Sequence, residues 1–180
     1  MKINREHIKK TFQEYTDRYD SANPKIKLKI DHTYRVANLC EQIAQSLELS
    51  AAEVDLAWLS GMLHDVGRFE QLRRYNTFSD AQSIDHARFA VELLYDEGLI
   101  ADYVPEISTT ELVADARTWR SMGGANESPT AQSEDMPLSD ILQTLRIAIG
   151  EHSAYRIQKR LVDRTTIFCQ ILRDADMDDS

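Results

Sequence analysis

"VDLAWLSGMLHDVGRFEQLRRY", residues 54–75, carries an apolar run straight into His64 and Asp65, with Arg68 three residues on. Just upstream, Ser50 and Glu53 of "SAAE" form a capping box, which opens a helix predicted to run through about Val66. The His-Asp pair therefore falls at the C-terminal end of a buried helix, and a short helix is expected around 68–75. A buried imidazole and carboxylate are costly unless something compensates them. The fold must bring partners to this point from elsewhere in the chain.

Composition narrows what those partners can be. The chain has 180 residues, of which 42% are hydrophobic and 28% charged, enough for one domain with a sizeable core. One Gly-Gly pair and four scattered prolines leave long apolar periodicities that favour helices, so the expected class is all-α, a single domain over residues 1–180. A net charge of -9 argues against a nucleic-acid surface, which needs a cationic footprint, but permits a small phosphorylated ligand beside a local basic cluster. Cys40 and Cys169 both fall in apolar helical patterns and read as buried free thiols, with no zinc spacing. The N-terminus shows no apolar signal core and no run reaches transmembrane length, so a cytoplasmic location without a membrane partner is expected.

Further helices are predicted over about 4–20 (Ile8, Phe12, Tyr15 and Tyr19 in a stripe), 27–47, 83–97 closed by Gly98, and 138–151. "STTE" at 108–111 is a second capping box, opening a helix to about 121. The polar stretch 122–137 is expected to be a mobile loop, and Asp163 to cap a last helix over "RTTIFCQILRDAD". Trp58 and Phe89 read as core, His7 as surface, and Asp174 and Asp178 as solvated.

The remaining histidines, His32, His64, His86 and His152, sit near apolar helical faces, each next to a carboxylate in sequence. Adjacent helical positions point about 100° apart, so these neighbours are not automatically partners. Taken singly, His86 reads as a first-turn or capping residue, and His152 as an imidazole favoured by a helix C-terminus.

In order, "HTYRVANL" (32–39), "LSGMLHDVGR" (59–68), "SIDHARFAVELL" (83–94) and "ILRDAD" (171–176) resemble the HD-domain superfamily of metal-dependent phosphohydrolases, over residues 26–176. The resemblance implies a helical bundle in which His32, His64, Asp65 and Asp176 hold a divalent ion. Asp176 stands in Ala175-Asp176-Met177 where the family usually has Ala-Asp-Lys, with Asp174 as the rival. His86 and His152 match the two added places of binuclear members, with Asp65 as the bridge. Mixed N/O ligands suit Fe, Mn, Co, Ni or Zn better than Mg, as one or two ions.

The expected function is hydrolysis of a nucleotide or other small phosphoester by metal-activated water, with Asp65 and Arg68 catalytic and Arg68 offering a guanidinium fork to phosphate. Arg35 lies one turn after His32, near the same face; Arg88, Arg156 and Lys159 are weaker phosphate candidates. Two other readings stay open: a di-iron HD-type oxygenase, and a non-catalytic ligand-binding HD module. The Gly-Tyr-Pro element of the cyclic-dinucleotide subgroup does not occur.

Overall fold

The computed structural model describes residues 3–107, 137–154 and 163–179. Its elements are helices α1 (Arg5–Thr16), α2 (Pro24–Ser46), α3 (Ala51–Leu63) and α4 (Val66–Tyr75), a 3-10 turn (Asp80–Gln82), α5 (His86–Val91), a π-helical turn (Glu92–Asp96), α6 (Ile100–Tyr103), α7 (Leu138–Glu151) and α8 (Asp163–Asp178). No strand occurs among the described residues, and the fold is the expected all-α bundle. None of the described helices is long and apolar enough to cross a membrane. The helix expected over 108–121, the loop expected over 122–137, Arg156 and Lys159 lie outside the described residues.

Local chemistry sets the helix ends. Asn4 caps α1 by accepting from the His7 N–H. The helix stops at Thr16, short of the predicted 20, and Tyr19 follows in a turn that still reaches the core. Asn23 caps α2 with Pro24 at its first position, so α2 starts three residues before the predicted Lys27. Proline there is preorganised for a helix and loses no hydrogen bond, so Pro24 opens α2. The capping box of α3 forms as read, with Ser50 and Glu53 satisfying each other's backbone N–H. The predicted helix at Ser83 begins instead at His86, because the Asp85 carboxylate caps the Ala87 and Arg88 N–H groups. Beyond Val91 the helix widens into the π-helical turn, and Gly98, at φ 80°, closes it.

Two glycines set how closely the helices approach. A Cβ on Gly61 would stand 2.5 Å from the Ala37 Cα, so α2 and α3 meet backbone to backbone. A Cβ on Gly67 would stand 2.8 Å from the His86 carbonyl oxygen and 2.9 Å from the Ala90 nitrogen, which seats α4 on α5. The Tyr15 hydroxyl, buried in a cluster of Phe12, Tyr19 and Phe69, donates to the Val66 carbonyl at 2.8 Å and fixes the first turn of α4. The core is continuous, from Phe12 and Trp58 through Leu63, Leu94 and Leu142 to Phe168 and Leu172. Phe89, Cys40 and Cys169 are buried, and both thiols are free. His7 departs from the surface reading: it is half-buried and its Nε2 lies 2.8 Å from the Asp102 carbonyl oxygen, tying α1 to α6.

Candidate metal centre

The break between α3 and α4 places the His-Asp pair. His64 terminates α3, and Asp65, with φ -107° and ψ 14°, turns the chain into α4. His32 comes from α2, His86 from the first residue of α5, His152 from the end of α7 and Asp176 from α8. The four histidines and Asp65 are buried; Asp176 is partly so. All six candidates from sequence thus meet at one place, and Asp176 rather than the exposed Asp174 faces it.

Two groups share Asp65. On one side His32 Nε2 is 3.3 Å from His64 Nε2, 3.1 Å from Asp176 Oδ1 and 3.5 Å from Asp65 Oδ2. His64 Nε2 is 3.5 Å from that same Oδ2 and 3.7 Å from Asp176 Oδ1. On the other side His86 Nε2 is 3.0 Å from His152 Nε2 and 3.7 Å from Asp65 Oδ1. Ligand atoms around one ion at about 2.1 Å stand roughly 3.0–3.5 Å apart, close to these separations.

The ring nitrogens that face outward decide which way the lone pairs point. His64 Nδ1 lies 2.7 Å from the Gly61 carbonyl and His152 Nδ1 2.6 Å from the Ile149 carbonyl. A carbonyl only accepts, so both Nδ1 atoms carry hydrogen. His32 Nδ1 and His86 Nδ1 each lie 2.6 Å from a carboxylate oxygen, of Asp179 and Asp80. In the neutral rings all four Nε2 lone pairs therefore face one another and two carboxylates. Opposed lone pairs at 3.0–3.3 Å repel unless a proton or a metal cation stands between them. Outer hydrogen bonds of this kind are how metal-binding histidines are held, and the residues present fit a divalent ion, in the His32, His64 and Asp176 group and in the His64, Asp65 and His152 group.

Electrostatics separate the imidazoles, raising one and lowering two. Burial opposes a charge on His64, but Asp65 and Asp176 outweigh it and raise the imidazole to about 9. Burial and the charge of His64 push His152 down to about 4, and burial lowers His86. Burial would raise the carboxyls of Asp65 and Asp176, yet the surrounding imidazoles, with Lys29 beside Asp65, hold both well below the carboxylate range.

Three participants were not foreseen. Lys29 Nζ donates to Asp65 Oδ2 at 2.6 Å. It lies one turn before His32, a spacing that was visible in the sequence. Asp179 lies three residues past Asp176 and also pairs with Arg35 at 2.6 Å, so Arg35 is engaged there on a half-exposed surface. Asp80 sits in a connection with no periodicity, and nothing in the sequence marked it. Arg68 donates through Nη1 to Gln71 Oε1, the Phe78 carbonyl and Asp80 Oδ1. Its buried Nε has no hydrogen bond and lies 3.6 Å from Asp65 Oδ1. Arg88 is exposed on α5. A cavity of about 490 Å³, bounded by Tyr15, Tyr19, Glu70, Arg73 and Arg74, includes none of the six candidates, and its Arg73 and Arg74 pair with Glu70.

A helical bundle that gathers imidazoles and carboxylates around a His-Asp pair at a helix break defines an all-α protein with a candidate metal centre. The model of the HD domain family matches residues 30–179, and the chain belongs to that family. Neither a curated protein nor a solved structure matches it.

Proposed function

We propose that the protein is a metal-dependent phosphohydrolase acting on a nucleotide or other small phosphoester, with two divalent transition-metal ions. The observation that carries this is the pairwise approach of inward-facing Nε2 atoms, His32 to His64 and His86 to His152, beside one carboxylate. When bound, such a pair supplies Lewis-acid charge and acidifies water at the site. Asp65 is kept ionised and offers one oxygen to each group. The Nδ1 hydrogen bonds of the four histidines keep Nε2 available and fix each ring.

Arg68 is tethered at Nη1, while its Nε makes no hydrogen bond and lies 3.6 Å from Asp65 Oδ1, which keeps the guanidinium charge at the centre, where it suits phosphoryl oxygens. Lys29 adds a second positive charge at the same carboxylate. Two buried thiols left unpaired fit a reducing, cytoplasmic setting.

The test is elemental analysis of protein purified without chelator, followed by phosphatase and phosphodiesterase screens with Mn, Fe, Co and Mg. Expected are bound transition metal and phosphate release that H64A and D65A abolish. R68A should retain metal and lose roughly 10- to 100-fold in kcat/KM, the worth of a hydrogen bond to a charged group. Turnover that consumes O₂ would replace this reading with oxygenase chemistry. Function unchanged in H64A would replace it with ligand binding alone.

A further inference from the structure

Asp80 uses both of its oxygens, in opposite directions. Oδ1 accepts from Arg68 Nη1 at 2.9 Å and from Gln71 Nε2 at 3.0 Å. Oδ2 accepts from His86 Nδ1 at 2.6 Å. Gln71, fully buried, locks the arrangement: its Oε1 accepts from the same Arg68 Nη1, and its Nε2 also donates to Ser83 Oγ and the Ile84 carbonyl. The neighbouring Asp85 carboxylate accepts from the Ala87 and Arg88 N–H groups, and Asp80 Oδ2 also faces the His86 backbone N–H at 3.4 Å.

We propose that Asp80 is a positioning residue that joins His86 of the second imidazole pair to Arg68 through opposite oxygens of one carboxylate. The inference rests on the two-ion reading. An asparagine of the same size cannot replace Asp80. If its NH₂ faces His86, it donates to Nδ1, and the ring must move its hydrogen to Nε2, the nitrogen the second group needs bare. If its NH₂ faces the other way, it opposes the N–H donors of Arg68 and Gln71. The second orientation sets an NH₂ against two donors, one of them cationic, so the amide turns its NH₂ to His86 and the second group loosens, while the first group, built by His32, His64 and Asp176, keeps its own supports.

The experiment titrates metal-free wild type and D80N with Co(II), following the ligand-field spectrum, and records thermal unfolding of both metal-free proteins. Expected is a wild type with two equivalents, and a D80N that unfolds near the wild-type temperature and binds the first equivalent normally. Its second equivalent should be weaker by roughly 10- to 100-fold, the usual effect of losing an outer partner. Two equivalents of unchanged affinity in D80N overturn this inference and leave the two-ion reading standing. Equal weakening of both equivalents with a lowered unfolding temperature marks a merely structural residue and also overturns it. A wild type that binds one equivalent or none overturns the two-ion reading, and this inference with it. Imidazole ¹⁵N NMR of the wild type gives a check independent of any variant: His86 protonated at Nδ1 is expected, and hydrogen on Nε2 contradicts the role.

Discussion

At the scale of single residues, His64 and His152 are alike in burial and in their backbone partner, yet their proton affinities diverge. His64 faces Asp65 and Asp176 and is raised to about 9, so in the metal-free protein near neutral pH it carries a proton where an ion would sit. His152, lowered to about 4, is neutral there. The folded-state value of His64 lies above the ordinary 6.5. Its proton therefore stabilises the metal-free fold fully below about pH 6.5, and that contribution is lost as pH rises through about 9. An ion at His64 must displace that proton. Affinity of the first equivalent should rise roughly tenfold per pH unit between 7 and 9, and the second should change little. Calorimetry in buffers of different ionisation enthalpy reads this directly; equal, pH-independent affinities would contradict it. All six residues that meet at the centre were legible in the sequence, because the order of the motifs that resemble the HD family marks each of them. Asp80 was not, since it reaches His86 and Arg68 through a loop whose path no periodicity encodes.

At the scale of elements, the centre depends on how closely helices approach. G61A would press a methyl into the Ala37 backbone at 2.5 Å and separate α2, with His32, from α3, with His64. G67A would press on the His86 carbonyl and separate α4 from α5. Each should destabilise the metal-free fold by about 1–3 kcal/mol, the usual cost of overpacking. G61A should weaken the first equivalent of metal more than the second, and G67A the reverse. Thermal unfolding with metal titration checks both, and indifference of metal binding to either change would show that these contacts do not set the site. Helix identity was readable here, but helix ends were less so. The α3 capping box announced itself, whereas the start of α5 at His86 turned on Asp85 acting as cap, a choice Ser83 could also have filled. The π-helical turn after Val91 leaves no mark in a pattern read at 3.6 residues per turn.

At the scale of the whole molecule, α2, α3, α5, α7 and α8 each deliver a side chain to one buried point, with like-charged carboxylates and opposed lone pairs among them. The His64 proton and Lys29 offset part of that repulsion in the metal-free protein, and a bound metal ion adds to the stability. Metal at about 100 times its Kd should add about 2.7 kcal/mol, or roughly 5–10 °C in Tm, and chelation should remove it. The bundle class followed from apolar periodicity over most of the chain. The outer ring of Lys29, Asp80 and Asp179 emerged only once distant segments were brought together.

The most direct measurement is anomalous X-ray diffraction from crystals of the manganese-loaded protein. Two peaks are expected, one bounded by His32, His64 and Asp176 and the other by His86 and His152, with an oxygen of Asp65 turned to each. An empty ring, or histidines rotated so that their Nε2 atoms no longer face inward, would contradict it.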